Sequence, residues 1–108
     1  MSGKILILCN CGSLEEAKKV ARGLVDRRHA ACVNIVPGLH SIYRWEGQVE
    51  EASEWMLVIK TQDSRYSDCE ATIRELHSYT TPEVIAFAIG KGLPAYLDWV
   101  TEETSPLQ

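Results

Sequence analysis

The sequence predicts an α+β domain, an antiparallel sheet with helices packed on one face. Two observations carry this reading. Apolar runs of strand length alternate with stretches whose apolar residues recur every three or four positions. The elements succeed one another as β-α-β-β-α-β with one more helix at the end, the split βαβ order of a ferredoxin-like fold. At 108 residues the chain is one domain, long enough for a core without disulfide staples.

The first strand runs from Lys4 to Asn10 around Ile5-Leu6-Ile7-Leu8, and Gly12 breaks it. Ser13 and Glu16 form a capping box that starts a helix. Its apolar stripe is Leu14, Ala17, Val20, Ala21, Leu24 and Val25, and it ends near Arg28-His29, cations suited to a helix C-terminus. Cys32 to Trp45 is rich in β-branched residues, with Pro37-Gly38 as a bend or bulge on an edge strand. Glu46-Gly47 is a tight turn, and Gln48 to Thr61 returns as the second arm of a long hairpin. Asp63-Ser64 caps a second helix with Tyr66, Cys69, Ile73 and Leu76 inward. His77 to Pro82 is a loop, Val84 to Ile89 the last strand, and Leu93 to Glu103 a third helix with Leu93, Tyr96, Leu97 and Val100 inward. A loose tail is expected over residues 102–108.

The strands Ile5–Leu8, Trp55–Ile59 and Val84–Ile89 do not alternate apolar with polar, as a half-wet sheet should. Both faces therefore need cover. Another copy of the chain is the simplest cover for the second face, which makes the protein an oligomer; the third helix folding back is the alternative.

The formal net charge of −4 and the lack of a Lys/Arg cluster longer than a pair such as Arg27-Arg28 argue against nucleic acids and anionic membranes as partners. No signal peptide and no membrane-spanning run are recognisable, so a cytoplasmic protein with reduced thiols is expected. Cys32 and Cys69 read as small buried apolar residues. No phosphate loop, nucleophile elbow or metalloprotease motif is present, so no catalytic residue and no enzyme activity are expected.

Three constellations could hold a ligand. Cys9 and Cys11, at i and i+2 of an extended segment, point the same way and suit a soft cation, though a pair is also what two incidental thiols look like. His77 and Glu83, six residues apart around Pro82, could converge on a cation or stand as a solvated loop. Tyr43, Trp45 and Trp55 on the hairpin form a ligand platform or simple cross-strand packing.

Six blocks resemble the CutA family, the divalent-cation tolerance proteins. They are Leu8-Cys9, Ala30 to Gly38 (AACVNIVPG), Ser41 to Gly47 (SIYRWEG), Ile59-Lys60-Thr61, Arg74 to Ile85 (RELHSYTTPEVI) and Pro94 to Trp99 (PAYLDW). The resemblance covers about residues 4 to 101. It implies a homotrimer of ferredoxin-like subunits, similar in architecture to the nitrogen-regulatory signal proteins, that binds copper or another divalent cation. It implies Cys9, His77 and Glu83 as the metal ligands. Two departures stand out: Ser78 replaces the proline of the usual H-P-Y loop, and Cys11 stands where the family carries a small residue or proline.

Two other functions fit the fold. A copper chaperone of the heavy-metal-associated type would place C-x-x-C after the first strand, one residue longer than the spacing here. A trimer that senses a small molecule in a cleft near Trp45, Lys60 and Tyr79 would need no metal.

Overall fold

The computed structural model describes residues 2–106. The elements are β1 (Lys4–Cys11), α1 (Leu14–Asp26), β2 (Cys32–Trp45), β3 (Gln48–Gln62), a 3₁₀ turn (Asp63–Arg65), α2 (Tyr66–Leu76), β4 (Ile85–Ile89) and α3 (Pro94–Glu103). The sheet order is β2-β3-β1-β4, with every neighbouring pair antiparallel. This is the ferredoxin-like arrangement, and it sets β1 beside β4 with Leu8 opposite Ile85.

The hairpin forms as its residues dictate. Glu46 and Gly47 both take positive φ, 49° and 79°, which is the two-residue turn that matches the twist of the flanking strands. The register of β2 against β3 slips between Val36 and Leu39, so Pro37-Gly38 is a bulge on an edge strand, where the missing proline N–H costs no ladder bond.

Ile5, Ile7, Cys9 and Cys11 of β1 and Leu57 and Ile59 of β3 face the helices, and Ala17, Val20 and Leu24 of α1 with Cys69 and Ile73 of α2 close over them. The second face carries Leu6, Leu8 and Val58, half-buried, and Ile85 and Phe87, which are 46% and 53% exposed. Helix α3 lies against β3 and β1 and leaves that part of the face open.

Four expectations need correction. Asp63-Ser64 does not cap α2; these residues form the 3₁₀ turn, and α2 starts at Tyr66 with no side-chain cap. Leu93 and Tyr96 are 72% and 41% exposed, and within α3 only Val100 is fully enclosed. Cys32 is half-buried rather than enclosed. The tail is not loose over residues 102–105: Glu102 and Glu103 finish α3, and buried Thr104 accepts from Gln62 Nε2 at 2.8 Å. Arg65 Nε donates to the Thr104 carbonyl at 2.7 Å, and Arg28 Nε to that of Ser105 at 2.9 Å. Residues 107 and 108 lie outside the described residues.

Candidate metal centre

Strand β1 presents Cys9 and Cys11 on its inner face and Asn10 on its outer one, because side chains alternate along a strand. Both cysteines are fully buried and unbridged. Helix α2 ends at Leu76, and His77 caps it, its N–H donating to the Ile73 carbonyl at 2.8 Å before the backbone turns extended. That turn carries the imidazole back onto β1. Ligand atoms of Cys9, Cys11 and His77 all lie within 4.8 Å of one another.

The imidazole is held at both nitrogens. Nε2 sits 2.7 Å from the Asn10 carbonyl, and Nδ1 accepts the Tyr79 N–H at 3.0 Å, a pair of bonds that calls for the proton on Nε2. Glu16 Oε1 approaches Nδ1 to 3.3 Å. The Cys11 thiol beside it, and then burial, push the Cys9 thiol far up, with Glu83 and Glu16 adding to the effect. Cys9 is therefore a thiol at neutral pH, a poor nucleophile but a ligand once a cation displaces its proton. Two sulfurs and an imidazole suit copper or zinc, whereas magnesium and calcium require oxygen shells.

The expected ligands divide. Cys9 and His77 meet. The Glu83 carboxylate is not in that group: it is exposed, two residues before Ile85, and its charge reaches Cys9 only as a contribution to the raised thiol. Cys11 occupies the third position instead. Glu16 was not singled out as a site residue, because its place in the capping box accounted for it in the sequence.

Glu83 instead borders a cleft of about 780 Å³ that also receives Asn10, Tyr43, Trp45, Glu54 and Tyr79. Trp45 and Tyr79 are thus where a small-molecule cleft was expected. Lys60 is not; it bonds Asn34 Oδ1 instead. Tyr79 Oη donates to Glu54 Oε2 at 3.0 Å, and burial followed by that bond pushes its phenol up to about 12, so it stays a donor. Asn10 Oδ1 is buried there with no partner among the described residues.

Residues 5–103 match the family model of the CutA1 divalent ion tolerance protein. The chain belongs to that family. The divalent-cation tolerance protein CutA of Thermus thermophilus is 46% identical over 99 residues, 92% of this chain and 96% of that protein. A solved structure of that relative's protein, Cut A1, superposes with a TM-score of 0.92 at 44% identity, covering 94% of this chain and 99% of the other. The structure of the periplasmic divalent cation tolerance protein CutA of Archaeoglobus fulgidus gives 0.92 at 37% identity, with 94% and 99% covered. The chloroplastic protein CutA of Arabidopsis thaliana is 41% identical over 100 residues, 93% of this chain and 55% of that protein. CutA relatives are thus named from more than one compartment. Among the described residues no helix is long and apolar enough to cross a membrane.

Proposed function

We propose that this CutA family chain takes up a soft or borderline cation, copper foremost, through Cys9, Cys11 and His77, and that it does so as a cytoplasmic homotrimer without catalytic turnover. The observation that carries the reading is the convergence of three buried ligand atoms within 4.8 Å. The cation tolerance in the names of its relatives supports the same chemistry. Four free cysteines suit a reducing compartment. The exposed Ile85 and Phe87 on the second sheet face support assembly, and the number three comes from the family resemblance. A net charge of −4 favours neither nucleic acid nor an anionic membrane as a partner. A copper chaperone is disfavoured because both sulfurs are enclosed, whereas ligand exchange with a partner protein needs them reachable.

A second reading has its own observation. The cleft bordered by Trp45, Tyr79 and Glu54, with the unpartnered Asn10 Oδ1, supports a small-molecule signal.

Competition titrations with Cu(I) and Zn2+ test the first reading. Cys9→Ser, Cys11→Ser and His77→Ala are expected to weaken binding by about tenfold or more each, while Glu83→Gln stays near the parent. Affinity is expected to tighten as pH rises, because each ligating thiol releases its proton, and the raised Cys9 thiol makes that competition steep. Parent-like binding by all three variants sinks the site.

A further inference from the structure

Glu16 carries an unpartnered buried oxygen beside the trio, and we infer that it is the positioning residue that sets the His77 ring for a metal. The inference rests on the metal-binding reading above. Glu16 is the third residue of α1, where a capping box turns the carboxylate back onto the cap residue's N–H. Ser13 does its half, its hydroxyl accepting the Glu16 N–H at 3.1 Å. The carboxylate does not reciprocate. Its Oε1 is buried, has no hydrogen-bond partner among the described residues, and lies 3.3 Å from His77 Nδ1. With Nδ1 accepting the Tyr79 N–H, two lone pairs face each other across that gap. Such a pair is satisfied only when a proton stands between them.

The other ring nitrogen shares a neighbour with a sulfur. Nε2 lies 2.7 Å from the Asn10 carbonyl, and Cys9 Sγ lies 3.9 Å from the same oxygen. A ring that ligates through Nε2 carries its single proton on Nδ1. Nδ1–H then donates to Glu16 Oε1, which gains the partner it lacks. The ring holds one proton in both forms and only its position changes. A carboxylate taking the second N–H of a ligating imidazole fixes the tautomer and raises the basicity of the coordinating nitrogen. The fit of residue and role is therefore specific: an acceptor, buried, unoccupied by the helix cap, and aimed at the nitrogen opposite the one that shares the Asn10 carbonyl with Cys9.

The full chain, purified without metal, is titrated with Co2+ and Zn2+. The Co2+ thiolate charge-transfer band reads the sulfurs, and histidine ¹⁵N shifts of the Zn2+ form read the ring tautomer. The Zn2+ form is expected to carry the His77 proton on Nδ1. Glu16→Ala is expected to weaken both ions by about 10–100-fold while the charge-transfer band persists at saturation, with Glu16→Asp recovering part of the loss. Glu16→Gln keeps the size and helix position, so it decides the matter should Glu16→Ala fail to fold. Its neutral amide is a weaker acceptor, and a measurable loss is expected with the unfolding midpoint of the metal-free protein unchanged. A proton on Nε2 in the Zn2+ form, or Glu16 variants that bind as the parent does, overturns the inference. Were Cys9→Ser and Cys11→Ser also to bind as the parent does, the metal site itself would fall. Loss in the cysteine variants alone leaves the site standing and removes only Glu16.

Discussion

A thiol ionises readily only where water or a cation can reach it. Burial pushes the Cys69 thiol up to about 12, and the Cys11 thiol together with burial pushes Cys9 up as well. Both groups keep their protons in the folded chain and lose them near their ordinary value of 9.0 when it unfolds. The stability they contribute is therefore complete below that value and is lost as pH rises above it, by up to about 1.4 kcal/mol per pH unit for each thiol. Denaturant unfolding of the metal-free protein at increasing pH above about 9 is expected to show this decline, with a shallower slope in Cys69→Ala. Equal slopes in the two proteins would mean that Cys69 ionises inside the fold. At this scale the sequence was legible in part. Strand alternation already aimed Cys11 with Cys9, and His77 stood out in its loop before the family resemblance joined it to Cys9. Glu83 lies outside the trio because strand adjacency brings residues near one another without making their side chains converge. Glu16 was hidden because its place in a capping box looked sufficient.

Among the elements, α1 has the clearest local signal, and its cap forms as read, with the Ser13 hydroxyl accepting the Glu16 N–H. Ser13→Ala is expected to cost about 1 kcal/mol in chemical unfolding, since it leaves that helix-end donor without a protein partner. A cost near zero would mean water serves the amide equally well. The strands and the hairpin were legible because apolar runs of strand length, a glycine turn and an edge-strand proline each have a plain geometric reading. Helix α3 was not. Its spacing of Leu93, Tyr96, Leu97 and Val100 read as an inward stripe, yet only Val100 is enclosed, and polar bonds from Arg65, Gln62 and Arg28 hold the C-terminal end. Such long-range bonds have no periodicity to read.

For the whole molecule, the open part of the second sheet face decides the behaviour. Covering Ile85 and Phe87 is worth roughly 1.5–3 kcal/mol for each side chain fully removed from water. If copies of the chain supply that cover, unfolding and dissociation are one equilibrium. The apparent thermal midpoint is then expected to rise with protein concentration, and light scattering to give about three times the chain mass of 12.1 kDa. A midpoint constant over a hundredfold dilution would mean the chains stand alone.

Tyr79 belongs to two places at once. Its backbone N–H ends on His77 Nδ1, and its hydroxyl ends on Glu54 in the cleft. It also lies over Gly12, where a β-carbon would come within 2.9 Å of the phenol oxygen, so it has little room on that side. Should Nδ1 take up the proton and turn to Glu16, the Tyr79 amide loses its acceptor and its peptide must seek another, with the phenol drawn along. The buried trio and the open cleft would then share one free-energy ledger, in which whatever occupies either alters the affinity of the other by the same factor. The Glu16 variants measure this as well: a parent whose tyrosine signal in near-ultraviolet circular dichroism shifts on Zn2+ binding, against variants in which the shift is lost, is the expected mark of that reciprocity.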